Sequence, residues 1–332
     1  GHAMYLVTGG AGFIGSNLTA ALSARGGEVM VVDRLRKGVP GQEKWRNLAK
    51  HTIAGIVLPD ALEEFLDRGR PIEAVFHMGA VSDTTVTDGD LVAASNITLP
   101  LMLWSWCARK GVPFIYASSA AVYGDGALGF DDDSSPAALS ALRPLNLYGW
   151  SKIAFDRRVA QMLALGMPAP PQWAGLRFFN VYGPNEYHKG RMQSVVAHKY
   201  AEIAAGKPAT LFASDRPGIA DGGQQRDFVH VDDLVRICLW LADHPRVSGL
   251  FNVGSGVARS FADLAAAIYA ALGRTPDINY IPMPEDLRGK YQYFTEAKLD
   301  RLRAAGYDAA TIPLEEGVAH YVRNHLASDP HR

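Results

Sequence analysis

The chain has 332 residues, of which 48% are hydrophobic and 20% are charged, a composition typical of one large globular domain or two closely joined ones. Its formal net charge of −1 gives no overall attraction for nucleic acid or an anionic membrane. No apolar run approaches the roughly 20 residues that span a bilayer, and a strand pattern rather than a signal peptide follows Met4, so we expect a cytoplasmic protein.

The first half of the chain alternates short β-rich runs with amphipathic helical patterns. In chain order the patterns predict a strand at 5–8, a helix at 13–25, strands at 28–32 and 73–77, a helix at 91–109, a strand at 113–117, a helix at 148–165 and a strand at 174–179. Alternation of this kind with apolar strands predicts the α/β class, a Rossmann-type doubly wound parallel sheet covered by helices on both faces.

The pattern becomes less regular after residue 180. It predicts a helix at 192–205, a strand at 227–231, a helix at 232–243, a strand at 250–253, a helix from 260 to about 272 with Ser260 as its N-cap, and helices at 296–305 and 314–326. We predict a dinucleotide-binding Rossmann domain over 4–179 and about 228–258. A smaller, C-terminally weighted substrate domain is expected over 180–227 and 259–327.

A glycine-rich turn joins the first strand to the first helix. The run T-G-G-A-G-F-I-G, residues 8–15, places Gly9, Gly12 and Gly15 at the spacing of a dinucleotide-binding turn and includes Phe13 and Ile14. Glycine permits the tight turn and a close backbone approach to a pyrophosphate, which the free N–H groups of the helix N-terminus attract. Asp33, after the second strand, suits a ribose hydroxyl. We therefore predict a nicotinamide dinucleotide site.

The choice between NAD and NADP depends on the residues around Asp33. A carboxylate there would repel a ribose 2′-phosphate, whereas Arg34, Arg36, Lys37 and Lys44 nearby could bind one. The same cations could also form an ordinary solvated loop. We favour NADP, with NAD as the alternative.

Tyr148 and Lys152 are four residues apart on a predicted helix and so share one face. A free phenol has a pKa of about 10, and a neighbouring ammonium together with the positive nicotinamide ring of the coenzyme would lower the pKa of Tyr148 toward neutrality and make it a useful base. The run A-S-S-A-A-V-Y-G, residues 117–124, places Ser119 at the carboxyl end of a strand, where open α/β sheets bind ligands. Ser119 is the expected partner of Tyr148 on the substrate hydroxyl, with Ser118 in reserve.

These motifs resemble the extended short-chain dehydrogenase/reductase family of NAD-dependent epimerases and dehydratases, which act on nucleotide-linked sugars. R-F-F-N-V-Y-G-P at 177–184 and R-D-F-V-H-V-D-D at 226–233 extend the resemblance over nearly the whole chain. Within that family, the segments 77–85, 180–198, 288–295 and 302–308 resemble the ADP-L-glycero-D-manno-heptose 6-epimerases of lipopolysaccharide biosynthesis. The resemblance implies an isomerase that oxidises one secondary alcohol to a ketone and reduces it on the opposite face, with ADP-heptose as substrate.

The resemblance also implies roles for individual residues. Tyr148 would be one acid/base with Lys152 as its coenzyme-side partner, and Lys189 would be the second acid/base. Further coenzyme contacts would come from Lys44, Asn96, Val181 and the turn of Met78, Gly79, Ala80, Val81 and Ser82. The sugar nucleotide would be bound by Ser119, Asn180, Arg191, His198, Phe212, Arg226 and Tyr291. The chain departs from the family pattern at Met78, at Arg191 and in a longer loop over 215–225.

A cationic group near Lys189 suggests where the diphosphate of the substrate binds. It contains His188, Lys189, Arg191, His198 and Lys199, with Arg226 added later in the sequence, and an arginine fork suits a diphosphate. A charged helix face would give the same pattern. The apolar face of the helix at 91–109 is consistent with a homo-oligomer.

Two other functions fit the sequence less well. A hexose 4-epimerase of the same family would share most of these motifs, whereas a dehydratase would carry an acidic pair where Ala120 and Ala121 follow the serines. A regulator that had lost catalysis would be expected to lack Tyr148 or Lys152. No cysteine and histidine cluster has zinc-ligand spacing, so no metal is expected, and Cys107 and Cys238 are predicted to be buried thiols.

Overall fold

A seven-stranded parallel sheet forms the centre of the computed structural model, which describes residues 3–288 and 291–332. Its strand order is β10-β6-β5-β4-β1-β2-β3. In chain order these strands are Met4–Thr8 (β1), Glu28–Val32 (β2), Gly55–Val57 (β3), Ala74–His77 (β4), Phe114–Ser119 (β5), Trp173–Phe178 (β6) and, after three strands of the smaller sheets, Gly249–Val253 (β10). The order reverses at β1, and ligands of open α/β sheets bind at such a switch point. The predicted α/β Rossmann class is confirmed.

The remaining strands form two small sheets outside the central one. Asn180–Tyr182 (β7), Gln225–His230 (β9) and Ala258–Ser260 (β11) form one, and Ala209–Phe212 (β8) pairs in parallel with Ile278–Ile281 (β12) in the other. The strand predicted at 227–231 thus lies beside β7 and β11 and not in the central sheet. The two-domain boundaries stay a prediction.

The helices cover both faces of the central sheet and support the smaller sheets. In chain order they are Phe13–Ala24 (α1), Leu62–Asp67 (α2), Gly89–Ala93 (α3), Leu99–Lys110 (α4), Pro136–Ala141 (α5), Leu147–Ala164 (α6), Val195–Ala204 (α7), Val231–Asp243 (α8), Phe261–Leu272 (α9), Asp300–Ala304 (α10) and Leu314–Tyr321 (α11). Ser260 caps α9 in a capping box with Asp263, as its hydroxyl predicted. The helix predicted at 296–305 is shorter, because regular helix begins at Asp300.

The helix predicted at 91–109 is a continuous helical segment in three parts. A π-helical stretch, Ala94–Thr98, joins α3 to α4. The segment Gly89–Lys110 is long and apolar enough to span a membrane by length and composition, contrary to the expectation that no run was. The structure packs it on the central sheet, where Leu103, Trp104 and Cys107 are buried, as a core helix of a parallel sheet requires.

Both cysteines, Cys107 and Cys238, are buried free thiols, as predicted. The short strands β3, β7, β8, β11 and β12, of three or four residues each, were not predicted. Among the residues that the structure describes, no group of His, Cys, Asp and Glu side chains is arranged to hold a metal ion.

Candidate active site

The glycine turn between β1 and α1 leaves no room for side chains. A Cβ atom on Gly15 would lie 2.0 Å from the carbonyl oxygen of Gly9, and one on Gly9 would lie 2.6 Å from Cα of Gly79. Gly9 also has a φ of 63°, a left-handed conformation that favours glycine. The bare backbone and the N-terminus of α1, which begins at Phe13, therefore form a cradle that fits the pyrophosphate of a dinucleotide.

Asp33 lies at the carboxyl end of β2, beside this turn, with both carboxylate oxygens engaged. Its Oδ1 accepts hydrogen bonds from Lys44 Nζ at 2.6 Å and from the Arg34 backbone N–H at 2.8 Å, and its Oδ2 accepts one from Ala11 at 3.0 Å. The Arg34 guanidinium instead pairs with Asp60 at 2.7 Å. Four of the five residues predicted around the ribose, Asp33, Arg34, Arg36 and Lys44, line a cavity of about 580 Å³ that also includes Val81, and Lys37 does not line it.

The turn that follows β4 also lines that cavity, through Gly79, Ala80 and Val81. Asn96 is buried, and its side chain accepts a hydrogen bond from the Val81 backbone N–H and donates one to the Val81 carbonyl, both at 3.0 Å. Asn96 thus fixes the backbone of the predicted Met78–Ser82 turn. His77, at the end of β4, bonds through Nδ1 to Thr8 Oγ1 at 2.6 Å, and burial lowers its pKa to about 3.

The predicted catalytic residues meet in a second cavity of about 340 Å³. Ser119 comes from the end of β5, and Tyr148 and Lys152 come from the first turns of α6, whose N-cap is Asn146. The same cavity is lined by Gly9, Gly12, Phe13, Ile14, Gly15, Met78, Gly79, Ala80, Ser82, Val181 and Lys189. The central sheet therefore brings residues from widely separated segments to its carboxyl edge. Their roles remain predictions.

The protein groups around Tyr148 by themselves act against ionisation of its phenol. Burial raises the pKa of Tyr148, and the hydrogen bond with Ser119 opposes that rise. The Lys152 amine lies 5.9 Å from the centre of the Tyr148 ring and donates a hydrogen bond to the Ala117 carbonyl at 2.9 Å. Burial also lowers the pKa of Lys152 to about 8. Protein side chains alone thus do not bring the phenol toward neutrality.

Ser118 also lines this cavity, but its hydroxyl is engaged by a side chain of α6. Its hydroxyl donates to Asp156 at 2.9 Å, whereas Ser119 accepts from the Ala121 backbone at 3.0 Å and bonds to Tyr148. Ser119 is accordingly the better placed of the two serines.

Lys189 also lines this cavity and lies in a short 3-10 turn, Tyr187–Met192, outside the central sheet. Its amine is 5.3 Å from the centre of the Phe13 ring, and burial lowers its pKa while the Glu186 carboxylate opposes that fall. Glu186 is fully buried and accepts hydrogen bonds from the Ser194 hydroxyl and from Tyr321, both at 2.8 Å. Glu186 thereby ties the loop to two helices.

A separate cavity of about 580 Å³ is formed by α7, β8, α9 and the segment after residue 290. It is lined by three predicted substrate residues, His198, Phe212 and Tyr291. Arg226, a fourth predicted substrate residue, lies beside this cavity, with its guanidinium carbon 5.0 Å from the centre of the Tyr291 ring. Two residues of the 288–295 motif, Gly289 and Lys290, lie outside the described residues. Aromatic rings around an apolar hollow are suited to a nucleotide base.

The predicted cationic group is divided between these regions. His188 and Lys189 line the 340 Å³ cavity that contains Tyr148, and burial lowers the pKa of His188 to about 4. Lys199 pairs with Glu202 at 2.9 Å, and Arg191 pairs with Asp83 at 2.9 Å with its side chain 67% exposed. Asn180 is exposed and lines none of these three cavities.

Several residues of the site were missed in the sequence. The carboxylates of Asp156 and Glu186 favour the charged forms of Lys152 and Lys189. Gln224 lines the cavity that contains Phe212 and Tyr291. Only Asp156 had a sequence signal, since it lies four residues after Lys152 and hence on the same helix face.

Comparison with known proteins identifies the family to which the chain belongs. Residues 5–254 match the NAD dependent epimerase/dehydratase family, and the chain belongs to that family. It therefore binds a nicotinamide coenzyme.

Similar proteins and solved structures within this family are nucleotide-sugar epimerases. The chain is 47% identical to an ADP-L-glycero-D-manno-heptose-6-epimerase of Nitratidesulfovibrio vulgaris strain DP4, over 98% of this chain and 99% of that protein. The Helicobacter pylori ADP-L-glycero-D-manno-heptose-6-epimerase structure matches with a TM-score of 0.79 at 28% identity, covering 97% of this chain and 96% of that one. A Thermus thermophilus UDP-glucose 4-epimerase in complex with NAD matches with a TM-score of 0.71 at 28% identity, covering 96% and 97%. The chain is an epimerase, an isomerase that acts on a nucleotide-linked sugar.

Proposed function

We propose that the chain is an ADP-glycero-manno-heptose 6-epimerase that inverts one exocyclic carbon of the heptose by transient oxidation to a ketone. The observation that carries the proposal is that Tyr148 and Lys189, from separate segments of the chain, line one cavity. Near-full-length similarity to enzymes of that name supports the choice of sugar.

Two acid/base groups suit inversion at an exocyclic carbon. Tyr148, sharing the proton with Ser119, would act on the hydroxyl in one epimer. Rotation about one carbon–carbon bond then turns the other face of the ketone to the same point in the cavity and moves the oxygen to a new position. Lys189 would donate or accept the proton there. Burial lowers the pKa of Lys189 and so eases release of its proton.

A nicotinamide coenzyme supplies a reversible hydride acceptor when it is bound. The glycine cradle would hold its pyrophosphate, the Met78–Ser82 turn and Asn96 would shape the adenosine side, and Lys152 and Val181 would lie at the nicotinamide end. NADP is the proposed coenzyme, because Lys44 and two backbone N–H groups already bond to the Asp33 carboxylate and reduce its repulsion of a 2′-phosphate.

The sugar nucleotide would extend from this cavity toward the second one. His198, Phe212 and Tyr291 would receive the base, and Arg226 would face the diphosphate. Arg191 and Asn180 would need to turn inward to reach it. We also propose that the enzyme is a cytoplasmic homo-oligomer that serves lipopolysaccharide synthesis.

The decisive experiment is turnover of defined substrates. The purified chain is incubated with ADP-heptose and with a panel of UDP- and GDP-hexoses, and epimerisation is followed by proton NMR. Inversion of ADP-heptose is expected. Turnover of a hexose but no heptose would favour a hexose 4-epimerase and overturn the proposal.

The two-base arrangement has its own test. Tyr148→Phe and Lys189→Met should each abolish epimerisation while coenzyme still binds, as measured by coenzyme fluorescence. Tyr280→Phe, which removes an exposed phenol away from the site, is the matched control and should turn over normally. Full activity in either active-site variant would refute its acid/base role.

A further inference from the structure

A buried polar network lies directly beneath Lys152 and is not explained by substrate or coenzyme contacts. Its centre is Asp156, one turn further along α6, whose Oδ1 accepts from the Tyr116 hydroxyl at 2.8 Å and whose Oδ2 accepts from Ser118 at 2.9 Å. Arg177 on β6 pairs with the same Oδ2 at 3.2 Å, and both charged side chains are completely buried.

Burying a charged pair such as Asp156 and Arg177 costs folding free energy, which suggests that the pair has a function besides stability. Removing two ions from water costs several kcal/mol each, and well-packed apolar residues often serve stability as well or better. The network nevertheless spans β5, β6 and α6 with Asp156 satisfied by three donors. This arrangement fixes a negative charge at one place, on the same helix face as Lys152.

We propose that Asp156 is a positioning residue for Lys152, whose buried carboxylate keeps the amine charged at the floor of the active-site cavity. The inference rests on the proposed function only through the role of Lys152. Burial alone would drive Lys152 toward the neutral form, and the Asp156 charge opposes that effect.

The other groups around Lys152 do not provide this balance. His77 on β4 is neutral at physiological pH, since burial lowers its pKa to about 3. Tyr116 on β5 stays protonated because burial raises its pKa well above the ordinary value. Burial raises the pKa of Tyr148 as well, and Arg177 on β6 is a further cation. Asp156 is therefore the compensating anion within the described part of the chain.

The test measures the protonation of Lys152 directly. The full chain with its bound coenzyme is prepared with lysine labelled with carbon-13 at the ε position, and the Lys152 resonance is assigned by its loss in Lys152→Met. Asp156→Asn should lower the measured pKa of Lys152 by about one unit or more. Asp156→Glu should restore it in large part, and the alkaline limb of the kcat profile should move with it.

The matched control is Tyr116→Phe, which removes a hydrogen bond from the same carboxylate but leaves every charge in place. It should leave the Lys152 pKa within a few tenths of a unit. Should Asp156→Asn fail to fold, the double variant with Arg177→Met removes both charges together, and a smaller fall is expected because the loss of the Arg177 cation offsets part of the loss of the Asp156 anion. An unchanged Lys152 pKa in the variant that folds, or an equal fall in Tyr116→Phe, would overturn the proposal. A wild-type chain inactive on ADP-heptose would refute the proposed function instead, since the NMR comparison does not depend on turnover.

Discussion

Replacing Lys152 with methionine should stabilise the fold while it abolishes turnover. The side chain is 5% exposed, and burial lowers its pKa from 10.5 to about 8. That difference corresponds to about 3 kcal/mol of folding free energy spent on keeping the amine charged at neutral pH. Loss of the hydrogen bond to the Ala117 carbonyl offsets about 1 kcal/mol of this. A net gain of roughly 2 kcal/mol is therefore expected, since methionine has a similar length and fills the same space.

The gain should depend on pH in a specific direction. Between pH 8 and 10.5 the unfolded wild-type chain binds a proton at Lys152 that the folded chain does not, so wild-type stability rises with pH in that window. The advantage of the methionine variant is therefore complete below pH 8 and disappears as the pH approaches 10.5.

The assay is thermal unfolding of both proteins, each without added coenzyme, at pH 7 and at pH 9.5. Lys298→Met, at a position away from the site, is the control for losing a lysine, and its unfolding temperature should match the wild type at both values. The reasoning would be refuted if Lys152→Met were no more stable than wild type at pH 7, or if its advantage were equal at pH 9.5.

Three further outcomes are expected. Gly15→Ala should abolish coenzyme binding measured by calorimetry, because the added Cβ would lie 2.0 Å from the Gly9 carbonyl oxygen, while Gly89→Ala, where a Cβ meets nothing within 4 Å, should bind normally. Lys44→Met should weaken NADP binding on the order of tenfold more than NAD binding, since it uncovers the Asp33 charge, and equal losses would contradict the proposed coenzyme choice. His77→Gln should lessen acid destabilisation. The pKa of His77 falls from 6.5 to about 3 on folding, so wild-type stability is lost as the pH drops below 6.5, by about 2 kcal/mol at pH 5. Calorimetric unfolding of both proteins at pH 7 and pH 5 measures that loss. An equal loss in wild type and His77→Gln would show that His77 is not responsible.

The local elements of the Rossmann half could be predicted because their signals are contained in short stretches of chain. Apolar runs bounded by turns predicted β1, β2 and β4, and the glycine spacing at residues 9–15 predicted the coenzyme turn. The capping hydroxyl of Ser260 marked the start of α9. Each of these features depends on neighbours within a few residues, so sequence alone was enough.

Strand partners and charges were decided by the tertiary structure. The sequence predicted a strand at 227–231, but not that this strand would pair with β7 and β11 outside the central sheet. Lys189 and Tyr148 are 41 residues apart in the sequence, and only the path of the loop after β7 brings them to one cavity.

The sequence by itself determined the class of fold, and it predicted the glycine turn and the Tyr148–Lys152 pair, since periodicity and spacing are properties of nearby residues. Only the tertiary structure decided the ionisation of that pair. Burial raises the pKa of the phenol and lowers the pKa of the amine, and the depth of burial and the position of Asp156 against Arg177 arise from segments that meet only in the folded chain.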